Sequence, residues 1–550
     1  MEINNIFFHT ACPICSSNRI HYSFIKNRQS IYNCEDCGFM FLNPQPSDEA
    51  LKEIYKNDYF PKDKCGKDGE SISAMKKYTA RLYLGQLVDY YGQTAGKLLE
   101  IGCGNGDFIA LAKETGFEVK RVEVSEHAAK IANTKLGVVC GDLESIDLLS
   151  GYFDICVLFD VIEHFRNPIN LLLKIHNMLK PEGVLFIVTS SLDSWPARLM
   201  KNNWTGFKTE HLHYFDTQTI QNALSKTGFK DVYVSPNYKC LTIDYIRKHF
   251  QKYSVPFFTR LVSASTFLLP ENLKRRHFNV VASGINVLSR KSPLKAIPLV
   301  SIIVPVYNEK ATFPELMKSL LVKELPGLAK EIVIVESNST DGTREEVMQY
   351  KDRHGVKVVF EDRPMGKGHA VRTGLQHATG DFVMIQDGDL EYDLNDYDEL
   401  LEPLIKHQKA FILGSRHSKG WKMRHFADEP LMSFVMNSGH IFFATLLNLF
   451  CWQNLKDPFT MYKVFRRDCL YGLTLKANRF DFDWELVIKL LRKGYRPLEI
   501  PVNYNSRSFK QGKKVSFIKD PLLWIWALFR FRFEPLYQKK IFNQPQTNTD

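Results

Sequence analysis

The feature that most constrains the fold of this 550-residue chain is a repeated alternation of short apolar runs with helical stretches. The apolar runs form two series, at residues 97–101, 118–124, 153–159 and 183–189, and at residues 300–305, 331–335, 357–361 and 381–386. Such alternation is typical of parallel sheets, because parallel strands are joined by helical crossovers. We therefore predict two α/β units. Because their strand ends carry different motifs, we expect two different catalytic units.

The composition is that of an ordinary globular protein. Hydrophobic residues make up 44% and charged residues 24%, which excludes disordered and low-complexity classes for all but the ends. The net charge of +11 is small for this length, and Lys67, Lys76 and Lys77 lie scattered among acidic residues rather than on a basic face. We therefore expect no nucleic-acid partner.

The N-terminus and the apolar windows carry no clear signal for secretion or membrane insertion. The opening Met-Glu-Ile-Asn-Asn lacks a basic and an apolar segment, and the 11 cysteines do not form a disulfide scaffold. The most apolar windows, 431–452 and 522–533, are interrupted by polar residues or are too short for a membrane span. We expect a cytoplasmic chain and leave open a peripheral contact with the inner face of a membrane.

Four cysteines near the N-terminus form two Cys-x-x-Cys pairs, Cys12 with Cys15 and Cys34 with Cys37. The short spacing lets both thiolates of a pair face one ion, and two pairs supply the tetrahedral four-sulfur set that zinc prefers. With four thiolates no coordination position stays open, so we expect a structural ion. Residues 1–45 are therefore predicted to be a zinc ribbon.

A glycine-rich stretch, Glu100-Ile-Gly102-Cys-Gly104-Asn-Gly106-Asp107, follows the first strand of the first series and opens a helix. Glycines at such a turn let the backbone pass close to a nucleotide-like ligand. A dinucleotide fold would place its third glycine at position 107, where this chain has Asp, so an NAD-dependent oxidoreductase is disfavoured. The Gly-x-Gly-x-Gly pattern with a preceding acid resembles motif I of the class I S-adenosylmethionine-dependent methyltransferases.

Motifs at the following strand ends extend this resemblance, which implies a Rossmann-like sheet. It also implies an S-adenosylmethionine site built from Glu100, Gly102, Gly104, Gly106, Glu123, Asp142 and Asp160. The ribbon is similar to that of zinc-containing methyltransferases of sugar biosynthesis, in which it helps form the acceptor pocket. His164, His211 and His213 are candidate general bases, because histidine can take a proton near neutral pH. Each of the three can equally be a hydrogen-bonded packing residue.

Two carboxylates separated by one residue, in Asp387-Gly388-Asp389, follow the fourth strand of the second series. Both can reach one divalent cation, which then neutralises the diphosphate of a departing nucleotide. With three earlier strand-end motifs, this pattern resembles a family 2 glycosyltransferase with the GT-A fold over residues 298–535. The resemblance implies Mg2+ or Mn2+ on Asp387 and Asp389. It implies nucleotide-sugar contacts from Pro305, Tyr307, Glu309, Glu336, Lys367, Asp387 and Arg416.

Within this family the second half resembles the polyprenyl-phosphate sugar synthases of the dolichol-phosphate mannosyltransferase kind. The resemblance implies that Arg507, Ser508 and Lys513 hold an acceptor phosphate. From 507 to 540, nine Lys and Arg residues are interleaved with large aromatic residues, which suits a lipid phosphate at a membrane interface. An amphipathic helix packed on its own domain would have a similar sequence.

The acceptor decides whether a general base is needed. A lipid phosphate is already anionic and needs none, whereas a sugar hydroxyl needs one, for which Asp457, Asp483 and Glu485 are the candidates. The sequence leaves both acceptors open.

Together these motifs predict a bifunctional enzyme of glycan assembly. One half methylates a sugar or a related acceptor, and the other transfers a hexose from a nucleotide sugar, with polyprenyl phosphate as the expected acceptor. The alternative is a glycosyltransferase acting on a sugar hydroxyl, with the methyltransferase half a non-catalytic scaffold. The predicted domains are the ribbon at 1–45, the methyltransferase at 46–240, a helical extension and linker at 241–297, the glycosyltransferase at 298–535 and a polar tail at 536–550.

Overall fold

The computed structural model divides the chain into two compact α/β units, as predicted. They are Met1–Leu294 and Lys295–Gln538. The described residues are 7–47, 49–51, 67–102, 106–123, 139–140, 150–252, 256–267, 269–417, 429–507 and 519–537. Each unit has its own sheets and its own hydrophobic core. The predicted multidomain α/β fold class is confirmed.

The first unit begins with a small four-stranded antiparallel sheet. Strands β1 Ile20–Lys26, β2 Gln29–Cys34 and β3 Met40–Leu42 lie within the predicted ribbon, and the fourth strand is the later β9 His213–Tyr214, which pairs with β3. The four ribbon cysteines belong to the same hydrophobic core as residues of the large sheet. The ribbon is therefore continuous with the rest of the first unit.

A large sheet of seven strands forms the body of the first unit. Its strands are β4 Gly96–Ile101, β5 Phe117–Glu123, β6 Val139–Cys140, β7 Phe153–Phe159, β8 Leu179–Ser190, β10 Phe229–Thr242 and β11 His277–Lys291. Their order is β10-β11-β8-β7-β4-β5-β6, and β11 is antiparallel to both of its neighbours. The four strands predicted here are confirmed, with β8 longer at both ends than expected.

Helices connect the strands and cover the sheet. Those of the first unit are α1 Lys67–Tyr91, α2 Asp107–Thr115, α3 Pro168–Met178, α4 Trp195–Met200, α5 Thr217–Lys226, α6 Ile243–Lys252, α7 Pro256–Phe267 and α8 Glu271–Lys274. Side chains fix their starts: Asn167 accepts the backbone N–H of Asn170, and Asp216 forms a capping box with Thr219. Such caps satisfy backbone N–H groups that have no partner within the helix.

The segment predicted as a helical extension, 241–297, is helical only in its first half. Strand β11 follows the three short helices and lies between β8 and β10, so the sheet continues beyond the predicted domain end at residue 240. The helical prediction is wrong for 277–291. The strand forms because the backbone groups of β8 and β10 would otherwise lack hydrogen-bond partners. Both partner strands are distant in sequence, so the local pattern of 277–291 does not reveal the strand.

The second unit is built on another sheet of seven strands. They are β12 Leu299–Val306, β13 Ala329–Glu336, β14 Val356–Phe360, β15 Phe382–Ile385, β16 Phe411–Ser415, β17 Lys463–Arg466 and β18 Leu498–Pro501. Their order is β14-β13-β12-β15-β17-β16-β18, with β17 antiparallel to its neighbours. Strands β12, β13 and β15 are parallel, so their carboxyl ends meet at one edge. The four predicted strands of this series are confirmed.

The helices of the second unit pack on both faces of this sheet. They are α9 Phe313–Val322, α10 Thr343–Met348, α11 Lys367–His377, α12 Tyr397–Ile405, α13 Pro430–Cys451, α14 Asp481–Arg492 and α15 Lys519–Phe533. The predicted polar tail begins with two residues that belong to this unit, because Leu536 packs on its core and Tyr537 forms a β-bridge with Leu473. Residues 538–550 lie outside the described residues.

Helix α13 is long and apolar enough, by length and composition alone, to cross a membrane. The polar residues expected to interrupt this window do not break the helix. His440 contacts the carbonyl of Lys456 at 2.9 Å, and Asn448 exchanges hydrogen bonds with the backbone of Leu455. Only 22% of the apolar stretch is buried. One face of the helix therefore packs on its unit and the other is exposed.

Candidate active sites

The four ribbon cysteines come together as one buried cluster. The four Sγ atoms all lie within 4.8 Å of one another, and the Sγ atoms of Cys12 and Cys37 and those of Cys15 and Cys34 are 3.6 Å apart. A tetrahedral ion with Zn–S bonds of about 2.3 Å requires sulfurs roughly 3.8 Å apart. The geometry and the all-thiolate donor set therefore fit a closed structural zinc site.

The glycine turn of the first unit lies between β4 and α2. Gly102 and Gly106 have φ values of 72° and 77°, a region that favours glycine. A Cβ on Gly102 would lie 2.5 Å from Val161 Cγ2, and one on Gly106 would lie 2.5 Å from Arg121 Nη1. Both positions therefore exclude a side chain, and their backbone can approach a ligand closely.

Two other predicted S-adenosylmethionine residues, Glu100 and Asp160, lie at the ends of the neighbouring strands β4 and β7. Glu100 is buried, and Asp160, with φ 54°, follows β7 and pairs with Lys239 at 3.2 Å. Gly104, Asp142 and the Glu123 side chain lie outside the described residues. A glycine cradle with carboxylates at adjacent strand ends suits a ligand that carries ribose hydroxyls and a positive charge.

A polar cluster lies next to Asp160, where the 3-10 helix Ile162–His164 meets the segment before β9. It comprises Glu163, His164 and His211, each with one polar atom within 4.8 Å of the others. The His164 and His211 rings are nearly perpendicular, 4.9 Å between centroids, and the Glu210 carbonyl holds His164 Nδ1 at 2.9 Å. The sequence singled out the two histidines but missed Glu163.

The ionisation of this cluster follows from its burial. Burial lowers the pKa of His211 well below its usual value, and the neighbouring His164 and Lys208 lower it further. Burial also raises the pKa of Glu163 to about 7. Among the described residues, Glu163 Oε1 and His211 Nδ1 have no hydrogen-bond partner. A neutral imidazole and a buried carboxyl group can together receive a hydroxyl group.

His213, the third candidate base, is separate from this pair. Its ring stacks on Phe39 of the ribbon at 5.5 Å, and its Nε2 lies 3.2 Å from the Arg166 carbonyl. Burial lowers its pKa to about 3. This placement is that of a β9 residue that packs against the ribbon.

A cavity of about 490 Å³ opens at the carboxyl ends of β12 and β15 in the second unit. Predicted site residues that line it are Pro305, Tyr307, Glu309, Lys367, Asp387, Asp389 and Arg507. The sequence missed other lining residues, among them Ser337, Met365, Glu391, Arg479 and Phe480. Arg479 and Phe480 lie just before α14, and no motif marks them.

Asp387 and Asp389 lie in the turn after β15, and each is 7% exposed. Lys367, the first residue of α11, forms an ion pair with Asp387, and Arg507 forms one with Asp389. Burial raises the pKa of Asp389 to about 7, and the charges of Asp387 and Glu391 add to this shift. Two carboxylates on one turn form an oxygen donor set that fits Mg2+ or Mn2+.

The loops after β12 and β13 are fixed to each other beside the cavity. The Asn308 side chain accepts a hydrogen bond from the Thr340 backbone at 2.8 Å, and Thr343 Oγ1 accepts one from the Glu309 backbone at 2.8 Å. Glu336 is fully buried, where it accepts the Ser339 N–H. Glu336 therefore shapes the loop, and its neighbour Ser337 is the residue that lines the cavity.

Arg416 and Asp457 form a buried pair that does not line the described cavity. Two guanidinium nitrogens of Arg416 donate to the Asp457 carboxylate, both at 2.8 Å. Burial by itself would raise the pKa of Asp457, but the charge and hydrogen bonds of Arg416 hold it below its usual value. The structure thus brings Arg416 to a carboxylate rather than to the predicted donor site.

The other two candidate bases are also engaged and lie outside the cavity lining as described. Asp483 pairs with the buried Lys463, and burial raises its pKa. Glu485 accepts the backbone N–H of Ala477 at 2.7 Å and pairs with Lys489 at 2.6 Å. Both carboxylates are held by protein partners. Ser508 and Lys513 fall outside the described residues.

A known family model matches one region in each unit. Residues 301–473 match the model for glycosyl transferase family 2, and residues 75–234 match the model for a methyltransferase domain. The chain therefore carries one region similar to glycosyl transferase family 2 and another similar to a methyltransferase domain.

Its relatives match only part of the chain. It is 29% identical over 236 residues to a dolichol-phosphate mannosyltransferase of Pyrococcus furiosus, covering 43% of this chain and 65% of that protein. It is 28% identical over 233 residues to a dolichyl-phosphate beta-glucosyltransferase of Trichomonas vaginalis, covering 40% and 69%. A solved SAM-dependent methyltransferase from Archaeoglobus fulgidus aligns over 40% of this chain and 94% of its own, with 21% identity and a TM-score of 0.28.

Proposed function

We propose that the second unit transfers a hexose from a nucleotide sugar to polyprenyl phosphate, and that the first unit methylates a sugar or related acceptor of the same glycan. The observation that carries the first part is the cavity in which Asp387 and Asp389 lie beside Lys367 and Arg507. The cavity therefore offers carboxylates that can bind a metal ion, and beside them it offers basic side chains that can bind phosphates. The relatives named for dolichol-phosphate transfer support the choice of acceptor.

The residues of the second unit divide the work of transfer. Asp387 and Asp389 would hold Mg2+ or Mn2+, which supplies positive charge to the leaving diphosphate. Lys367 lies within reach of the same phosphates, and Pro305 and Tyr307 line the cavity where the nucleoside would lie. The hydrogen bonds from backbone N–H groups to side chains between the loops after β12 and β13 keep this side of the pocket formed before substrate binds. Transfer then requires alignment of two bound substrates more than proton removal.

A phosphate acceptor fits the cavity better than a hydroxyl acceptor. A hydroxyl needs a base, yet Asp457, Asp483 and Glu485 are held in ion pairs or hydrogen bonds and none lines the described cavity. A phosphate attacks as an anion and makes no such demand. This supports polyprenyl phosphate, while a sugar hydroxyl acceptor is the alternative.

An exposed apolar face of the second unit supports a peripheral membrane location. Helices α13 and α15 pack together through Phe443 with Trp524, at 5.1 Å between ring centroids. Their outer sides expose large apolar residues by half or more: Leu431, Phe434, Leu449, Leu522, Trp526 and Phe533. Arg530 stacks over Trp526 at 4.7 Å. Apolar and aromatic side chains with adjacent arginines match the interface of an anionic bilayer.

The test of this proposal is sugar transfer into an organic phase. Purified protein with Mn2+, a short polyprenyl phosphate and one labelled nucleotide sugar of a panel should move label into the solvent for at least one donor. The matched control is the same polyprenol without its phosphate, which should take up no label. Label that enters only water-soluble products would contradict a lipid acceptor and favour a sugar hydroxyl.

We propose His211 as the base of methyl transfer, with His164 beside it and zinc in the ribbon as a structural ion. When bound, S-adenosylmethionine would supply an activated methyl group near the Gly102 turn. His211 is neutral at physiological pH because of its burial, so it can take the proton of an acceptor hydroxyl. The alternative, a scaffold without catalysis, predicts no affinity for S-adenosylmethionine in a calorimetric titration.

His211→Gln should lower methyl transfer by about 100-fold to 1000-fold, the usual contribution of a positioned base. Affinity for S-adenosylmethionine should not change. Because burial lowers the pKa of His211, its ring stays neutral below pH 6.5, and the acid limb of the wild-type rate should lie below that pH. The measurement is tritiated methyl transfer to a panel of nucleotide and polyprenyl-linked sugars. His176→Gln, another buried histidine of this unit, is the control; equal losses in both variants would contradict the role.

A further inference from the structure

Arg507 holds the position that a cation would take in the glycosyltransferase cavity. Its Nη1 lies 3.0 Å from Glu309 Oε2, its Nη2 contacts Asp389, and its Nε lies 3.7 Å from Glu391. One guanidinium thus bridges three carboxylates from two loops, the one after β12 and the one after β15. Such a fork satisfies several carboxylate oxygens at once.

This arrangement and a metal ion on Asp389 exclude each other. A divalent ion bound through Asp389 would lie within a few ångströms of the guanidinium, and like charges that close repel strongly in a buried pocket. Asp389 is 7% exposed, so the solvent screens little of this repulsion. Either the side chain of Arg507 moves or the ion does not bind.

The backbone at Arg507 is fixed, so the movement concerns the side chain alone. Its N–H donates to Glu391 Oε1 at 2.7 Å, and the Asn505 N–H donates to the Glu391 carbonyl at 2.8 Å. The Tyr504 hydroxyl also donates to Glu391, at 3.1 Å. The guanidinium can therefore leave Asp389 without displacing the backbone segment after β18 that carries Arg507.

We propose that Arg507 is an exchangeable internal cation. It neutralises Asp389 and Glu309 before substrate binds, and it transfers to a phosphate when the metal and the nucleotide diphosphate enter together. This rests on the proposed metal-dependent transfer and adds a consequence. Metal and phosphate bind cooperatively, because the phosphate stabilises the displaced guanidinium and the displaced guanidinium frees the carboxylates. By linkage each ligand then raises the affinity of the other by the same factor.

The test measures Mn2+ binding by the electron paramagnetic resonance signal of the free ion, with inorganic phosphate as the second ligand and a protein-free blank. In the wild-type protein, phosphate should raise the affinity for Mn2+ by about tenfold, within the usual range of coupling. In Arg507→Gln, Mn2+ alone should bind about tenfold more tightly than in wild type, and the effect of phosphate should disappear. Arg344→Gln removes a guanidinium that pairs with Glu336 instead, and it should behave as wild type.

Each outcome of this test is decisive. Equal Mn2+ affinity in wild type and Arg507→Gln, with the phosphate effect intact, would overturn the exchange and leave the metal site standing. No Mn2+ binding in any variant, with or without phosphate, would overturn both the exchange and the metal-dependent transfer. Arg507→Lys keeps a positive charge but cannot bond several carboxylates at once. Its Mn2+ affinity should therefore fall between those of wild type and Arg507→Gln. That variant also decides the matter if the glutamine variant does not fold.

Discussion

Asp389→Asn should reduce sugar transfer at least about 1000-fold. The change keeps the shape of the side chain and removes one of two anionic ligands of the proposed metal. Charge stabilisation by a metal ion contributes several kcal/mol to such a transition state, and about 4 kcal/mol corresponds to a factor of 1000. The asparagine also cannot form an ion pair with Arg507, which then keeps only Glu309 and Glu391 as anionic partners.

The measurement is the initial rate of transfer at saturating nucleotide sugar, with Mn2+ varied over a wide range. Asp387→Asn should show a loss of similar size, because both carboxylates lie on the same turn. Asp398→Asn is the matched control: its half-exposed side chain pairs with Lys323 outside the cavity, and its rate should equal wild type. A rate for Asp389→Asn within tenfold of wild type would show that the metal pair has been misassigned.

Features set by residues close in sequence could be predicted from the sequence. The strands of the two series, the glycine turn at Gly102 and the acidic pair at Asp387 and Asp389 are each encoded within a few residues. The fold places the glycine turn and the acidic pair directly after strands. Strand β11 was missed because it forms only when β8 and β10 lie on either side of it. Strand β9, two residues long, is defined only by its pairing with the ribbon.

The chemistry of the sites was harder to predict, because the ion-pair partner of a residue is often distant from it in sequence. Asp457 could serve as a base in the sequence, but Arg416 neutralises it in the structure. Arg507 is predicted to contact an acceptor phosphate, and the sequence gives no sign of its ion pairs with Glu309 and Asp389. Glu163 could be recognised as a site residue only from the structure, in which it lies next to His211. Pairings of this kind depend on loops far apart in the chain.

Removal of zinc should unfold the ribbon and destabilise the first unit by at least about 5 kcal/mol. Structural zinc sites in small domains supply apparent binding energies of about 10–16 kcal/mol, part of which the larger core here would retain. A loss of 5 kcal/mol lowers the melting temperature of a domain of this size by roughly 10–20 °C. The second unit has its own core, so its transition should remain in place.

The ribbon also reaches the proposed base of methyl transfer, so zinc removal should abolish methylation before it affects sugar transfer. The Leu42 N–H donates to the Leu212 carbonyl at 2.9 Å, and the Leu212 N–H donates to the Glu163 carbonyl at 2.9 Å. These two bonds hold His211 and Glu163 in register with β3. Once the ribbon unfolds, neither histidine of the pair keeps its position.

Cys34→Ser is the variant that tests both consequences, with metal content and calorimetry as the measurements. Wild type should contain about one zinc per chain, as one four-thiolate site requires. Cys34→Ser should lose the zinc, the thermal unfolding transition of the first unit and methyl transfer. Cys240→Ser, a change at another buried cysteine of this unit, should keep the metal and both activities. Methylation that persists in zinc-free protein would show that the position of the base does not depend on zinc, because the Leu42–Leu212–Glu163 bonds would then form in the absence of the ion.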